Sequence, residues 1–180
     1  MKQLKKIWTA SNLLSISRAL LAIPFGIALW NEAIWWTLGI GFAAGLTDYL
    51  DGRFAREFDE TTELGKILDP AADKIFIAVA VVILLLMGRL PLWFVGLIVG
   101  RDLLIALGGL WALGKIKFTI PSNMFGKVTV NVISIVLIGI ILDVGVFYTW
   151  GIYVSAAMVI VSFIIYLRRM MKMLSEDSGQ

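Results

Sequence analysis

Four aspartates stand close together between residues 48 and 74, in the stretch DYLDGRFAREFDETTELGKILDPAADK. Asp48 and Asp51 are three positions apart, Asp69 follows eighteen later, and Asp73 four after that. Residues three or four apart share a helix face, so the spacing predicts two carboxylate pairs on two helices. A nine-residue polar loop between them, EFDETTELG, lets the two helices form an antiparallel hairpin. Four carboxylates brought together repel and take up protons unless cations lie between them. The chain has no histidine and no cysteine. That excludes thiolate chemistry, a disulfide scaffold and the usual soft metal ligands. The expected guest is a hard divalent ion, Mg²⁺ or Mn²⁺, held by oxygen ligands. Two such ions about 4 Å apart clamp the attacking and leaving oxygens of a phosphoryl displacement. Any general base must be Asp, Glu, Lys or Tyr.

The residues between the pairs point to a phosphorylated ligand. Gly52 removes a side chain directly after Asp51, and Ala55 keeps the same face small one turn later. Arg56 is within reach of a phosphate beside the metals. Gly65 keeps the start of the second helix open, and Thr61 and Thr62 offer loop hydroxyls. Each has a plainer reading. Asp69 before Pro70 is good N-capping chemistry. Gly65 serves a turn, and Arg56 serves as a cytoplasmic anchor. Glu57, Asp59, Glu60 and Glu63 read as solvated loop surface.

The elements that carry these residues must cross a membrane. Hydrophobic residues make up 59% of the 180-residue chain, against 45–50% in soluble domains. Charges beside hydrocarbon are expensive and mark function. The expected fold is an all-α integral membrane bundle of six transmembrane helices with both termini cytoplasmic. Residues 1–174 form one catalytic domain and 175–180 a polar, disordered tail. MKQLKKIWTA reads as a short amphipathic juxtamembrane segment on anionic lipid rather than a signal peptide. The spans run over about 13–30, 33–56, 66–87, 92–113, 122–142 and 150–167. Asn31-Glu32 and Asp143 to Thr149 form outer turns, and Gly88 to Pro91 joins spans three and four. Lysine and arginine cluster at one set of span ends, with only Arg89 on the other side. That is the positive-inside pattern. The net charge of +3 reflects this topology and no nucleic-acid partner. No inverted repeat is evident, because the acidic motif has no second copy.

Other charges fall inside the spans. Arg18 in span one either snorkels to headgroups or faces an anionic ligand. Arg101-Asp102 in span four either form an ion pair stapling helices, or Asp102 orients Arg101 toward a polar cavity. Lys127 and Asn131 share a face of span five.

The string D-x₂-D-G-x₂-A-R-x₈-G-x₃-D-x₃-D resembles the signature of the CDP-alcohol phosphotransferases at every fixed position, and the span plan extends the likeness to most of the chain. The resemblance implies transfer of a phosphatidyl group from CDP-diacylglycerol to an alcohol, with release of CMP. It implies that Asp48, Asp51, Asp69 and Asp73 are metal ligands and that Asp73 is also the base for the acceptor hydroxyl. It implies that Gly52, Ala55, Arg56 and Gly65 line the CDP site, with Thr62 on a phosphate and Asn12 near the nucleotide. Relatives form homodimers, and small residues in spans two and four suit close packing. SNLLSISRALLAIP and PLWFVGLIVGRDLLI resemble phosphatidylglycerophosphate and cardiolipin synthases. The expected acceptor is then glycerol 3-phosphate, its phosphate bound by Arg101, Lys127 and Arg18. After Gly126-Lys127, Val130 and Ile133 stand where those synthases carry polar residues. The expected site lies at the cytoplasmic face of a bacterial-type inner membrane.

Three other readings compete. One is the same chemistry with inositol phosphate, serine or phosphatidylglycerol as acceptor. A divalent-cation transporter predicts acidic residues at the bilayer midplane on several helices, whereas these gather near one edge. A bundle stapled by charges gives no reason for Gly52 and Gly65 at their spacing.

Overall fold

The computed structural model describes residues 10–57, 65–115 and 124–177, with side chains outside 10–12, 48–57, 65–71, 73, 110–115 and 174–177. All the regular structure among them is helical. Backbone polar groups find no water in hydrocarbon, and the helix satisfies them within one segment. Six main helices result: α1 (Ala10–Trp30), α2 (Ile34–Glu57), α3 (Gly65–Leu86), α4 (Leu92–Lys115), α5 (Met124–Ile141) and α6 (Ile152–Asp177). A π-helical turn, Phe147–Gly151, leads into α6.

Four stretches among the described residues are long and apolar enough to cross a membrane: Leu13–Trp30, Leu92–Gly109, Met124–Ile141 and Phe147–Met173. This defines an integral membrane protein. α2 and α3 contain the shorter apolar stretches Ile34–Thr47 and Lys74–Leu86. Both helices are long, at 24 and 22 residues. Their remaining turns carry the acidic motif, which interrupts the apolar run.

The chain divides into two compact units, Met1–Met87 and Gly88–Gln180. In the first, α1 packs against both α2 and α3. The α2–α3 hairpin expected from the sequence is therefore organised around a third helix. Phe25 of α1 meets Phe76 of α3 with ring centroids 4.5 Å apart. Gly26 stands where a Cβ would lie 3.0 Å from both Val79 and Ile83. Small residues permit such close approach in lipid, where association depends on van der Waals fit. An apolar groove of about 430 Å³ is lined by residues from Ala19 to Trp30 of α1 and from Ile75 to Ile83 of α3. Phe25 meets Phe76, and Gly26, one residue on, meets Val79 and Ile83 further along α3, so the contacts advance in the same direction on both helices. Pro24 lies within α1 and does not end it, since transmembrane helices tolerate one lost hydrogen bond.

In the second unit α6 is the central helix, contacting α4 and α5. Tyr166 Oη donates to the Ile105 carbonyl at 3.1 Å. Thr129 Oγ1 lies 3.5 Å from the Met158 carbonyl and 2.8 Å from that of Phe125. The Phe147 ring fills the space beside Gly139, and a Cβ on Gly151 would meet both Phe147 and Val136. Hydroxyls elsewhere in the helices turn back to carbonyls three or four residues earlier, as at Ser17, Thr37, Thr47 and Ser134. That satisfies them without a second helix.

Two helix ends share one device. After α1, Glu32 takes φ 55°, Glu32 N donates to Leu29 O, and Ala33 N donates to Ala28 O. After α5, Asp143 takes φ 56°, Asp143 N donates to Ile140 O, and Val144 N donates to Gly139 O. These are Schellman ends with an acidic residue at the left-handed position instead of glycine. The expected outer turn from Asp143 to Thr149 is shorter than its sequence suggests, because helix resumes at Gly145. α6 continues through Asp177, so the first three residues assigned to the tail are helical. The other tail residues, like residues 1–9, lie outside the described ones.

Candidate functional site

α1 fixes the levels at which the acidic motif lies. Phe25 touches Phe76 of α3, and its ring edge lies 3.6 Å from where a Cβ on Gly41 of α2 would stand. Seven residues, or two turns, span about 10 Å along a helix. Seven residues back along α1 from Phe25 is Arg18, seven forward along α2 from Gly41 is Asp48, and seven back along α3 from Phe76 is Asp69. The three backbone positions therefore fall at one level of the unit. Asp51 lies about one turn nearer the motif end, and Asp73 about one turn further from it. Gly52, Ala55 and Arg56 follow in the last turns of α2, Gly65 opens α3, and Asn12 lies in the first turn of α1. All these positions gather at one end of the three-helix unit. Thr62 lies outside the described residues.

The opposite end is marked by indole rings. Trp30, Trp35 and Trp36 are exposed around the α1–α2 turn. Within the second unit, taken by itself, Trp93 stacks on Tyr153 at 5.8 Å, and Trp150 is exposed. Exposed tryptophans of this kind mark the headgroup level.

Two plainer readings of the sequence do not survive. α3 begins at Gly65, so Asp69 lies in its second turn and is not an N-cap. Arg18 is 2% exposed, so it does not snorkel outward from the helix surface. A guanidinium taken inside an apolar unit needs compensation by charge or hydrogen bonds.

In the second unit, Arg101 is the focus. Its Nη1 donates to Asp102 Oδ1 at 3.0 Å, and its Nη2 donates to Ser162 Oγ of α6 at 2.9 Å. The Arg101 and Asp102 side chains are 11% and 35% exposed. The pair is formed by neighbours on one helix, so it does not staple two helices as the sequence suggested. Arg101 itself reaches another helix through its bond to Ser162. Gly126 of α5 faces the same guanidinium, and a Cβ there would lie 3.1 Å from Nη2. Lys127 and Asn131, further along α5, are exposed. Ser162 escaped the sequence reading because a lone serine in an apolar helix has no periodic signal. Gly126 stands out in the sequence only as the start of a Gly-Lys pair.

The donor set of the acidic motif is wholly oxygen, which fits a hard divalent cation and no soft one. Among the described side chains no group of three or more metal-ligating residues occurs, and the side chains of Asp48, Asp51, Asp69 and Asp73 lie outside them. A Gly, Ala and Arg between the pairs suits a pyrophosphate beside those cations.

Comparisons with known proteins show the family to which the chain belongs. The profile of the CDP-alcohol phosphatidyltransferase family matches residues 8–167. The chain belongs to that family, whose members are generally dependent on divalent metal. It is similar to the CDP-diacylglycerol–glycerol-3-phosphate 3-phosphatidyltransferase of Aquifex aeolicus (strain VF5), at 31% identity over 180 residues covering 92% of this chain and 98% of the relative. It is also similar to CDP-diacylglycerol–glycerol-3-phosphate 3-phosphatidyltransferase 2 of Arabidopsis thaliana, at 29% identity over 94% of this chain and 82% of the relative. A putative cardiolipin synthase of Mycobacterium tuberculosis (strain ATCC 25618 / H37Rv) is 33% identical over 68% of this chain and 59% of the relative.

Proposed function

We propose that the protein is a membrane phosphatidyltransferase of phospholipid synthesis, moving the phosphatidyl group of CDP-diacylglycerol to glycerol 3-phosphate and releasing CMP. The carrying observation is the complete acidic motif at one end of α1, α2 and α3, in a chain similar along nearly its whole length to the Aquifex enzyme. The products are phosphatidylglycerophosphate and CMP.

Asp48, Asp51, Asp69 and Asp73 would hold one or two Mg²⁺ or Mn²⁺ ions. When bound, these ions neutralise the pyrophosphate and ease departure of CMP. Gly52, Ala55 and Gly65 leave room for the CDP moiety, Arg56 and Thr62 bind its phosphates, and Asn12 contacts the nucleotide. Asp73 takes the proton of the acceptor hydroxyl. A carboxylate among cations is a weak base. Positioning and charge neutralisation therefore supply most of the rate. Arg101 and Lys127 bind the acceptor's phosphate, and buried Arg18 adds positive charge at the level of Asp48 and Asp69. All six helices cross the membrane, with both termini and the acidic motif on the cytoplasmic side. The positive-inside pattern of lysine and arginine supports that orientation. There a nucleotide enters from water while acyl chains stay in lipid. Gly39 and Gly45 of α2 and Gly96 and Gly100 of α4 have open space beside them, small-residue surface of the kind that suits a homodimer.

Purified protein supplied with CDP-diacylglycerol, Mg²⁺ and a panel of alcohols is expected to release CMP with glycerol 3-phosphate. Silence with every acceptor would sink the enzyme reading. Release only with phosphatidylglycerol, serine or inositol phosphate would replace the acceptor.

A further inference from the structure

We infer that Ser162 is a positioning residue for Arg101, holding its guanidinium against the first turn of α5 so that an anionic acceptor finds it already oriented. The inference rests on the proposed role of Arg101 at the acceptor's phosphate.

An arginine on an apolar helix has a flexible side chain and five donors to satisfy. Arg101 has two described acceptors, Asp102 Oδ1 and Ser162 Oγ. Asp102 is its chain neighbour and moves with α4. Ser162 belongs to another helix, is 1% exposed, and so ties the guanidinium to an independent frame. Its hydroxyl is neutral. It orients the guanidinium without adding a second negative charge to that of Asp102. Gly126 completes the arrangement from α5. A Cβ at that position would stand 3.1 Å from Nη2 and 3.5 Å from Ser162 Oγ. Serine accepts the bond while glycine leaves the space, and Lys127 follows directly with an exposed side chain.

The same geometry separates this role from packing. One turn beyond Ser162, Tyr166 Oη donates to the Ile105 carbonyl. Gly108 and Gly109 lie against Tyr166 and Met170 further along. α4 and α6 thus keep several contacts when the Ser162 hydroxyl is removed.

The test uses the full chain in lipid nanodiscs, with CDP-diacylglycerol and Mg²⁺, titrating glycerol 3-phosphate. Ser162→Ala is expected to raise the acceptor KM about tenfold, as for loss of one charge-assisted hydrogen bond. The CDP-diacylglycerol KM and the thermal midpoint should stay unchanged. Ser162→Thr keeps a hydroxyl and should recover most of the affinity. Gly126→Ala should act in the same direction. Arg101→Ala should raise the acceptor KM further, and adding Ser162→Ala to it should change nothing more. If Arg101→Ala weakens the acceptor while Ser162→Ala does not, the positioning role is wrong and the acceptor reading stands. A Ser162→Ala variant that raises both KM values equally, or lowers the thermal midpoint, also overturns it. If Arg101→Ala leaves the acceptor KM unchanged, the acceptor reading and this inference fall together.

Discussion

The rings of Phe25 and Phe76 meet at a centroid distance of 4.5 Å with a 44° tilt, joining α1 to α3 two turns from the level of the acidic motif. Gly41 of α2 lies against the same Phe25 ring. One side chain of α1 therefore touches both helices that carry the aspartates. Phe25→Ala is expected to destabilise the first unit by roughly 1–3 kcal/mol, below the soluble-core range because lipid offers comparable apolar contact. Thermal unfolding in nanodiscs checks this. CMP release should fall with it, since Asp48 and Asp69 lose their common level. A variant with an unchanged midpoint would deny Phe25 this role.

Removal of metal should stop the reaction. Chelation with EDTA is expected to abolish CMP release, and Mg²⁺ or Mn²⁺ should restore it. Asp48→Asn, Asp51→Asn and Asp69→Asn should each lower kcat by about a hundredfold or more and raise the Mg²⁺ needed for half-maximal rate. Asp73→Asn should abolish turnover with the thermal midpoint retained. Full activity in Asp73→Asn would remove that carboxylate from proton transfer.

Lys127 is exposed one residue after the glycine that faces Arg101. Lys127→Ala is expected to raise the KM for glycerol 3-phosphate about five- to tenfold while leaving that for CDP-diacylglycerol within twofold, the cost of one phosphate contact. Equal effects on both substrates would place Lys127 outside acceptor binding.

Because the chain has no cysteine, a single introduced cysteine reports topology without background. Asn31→Cys and Val144→Cys, at exposed turn positions, should react with a membrane-impermeant maleimide from the outer side. Ser178→Cys should react only from the cytoplasmic side. Labelling of Asn31→Cys and Ser178→Cys from the same side would overturn the six-span reading.

Much of this protein was legible in its sequence because its chemistry is local. Spacings of three and four place Asp48 with Asp51 and Asp69 with Asp73 whatever the tertiary fold, since one helical turn decides it. The ends of α1, α4 and α5 follow from where apolar residues stop and turn residues begin. The absence of histidine and cysteine selects an oxygen-liganded metal by elimination. Non-local relationships were not legible. Nothing in the chain's periodicity says that α1 packs against both helices that carry the acidic motif. That packing follows from side-chain fit at Phe25, Gly26 and Gly41, whose partners lie far away in sequence. Helix resuming at Gly145 escaped for the same reason, because the Phe147 ring needs the space beside Gly139. Arg18 illustrates both halves. Its charge and its place in span one could be read directly, but only packing decided that it is buried. The sequence determined which residues can do chemistry and which helices carry them. The tertiary structure decided their common level and the partners of Arg101, because both depend on contacts between helices that no local pattern encodes.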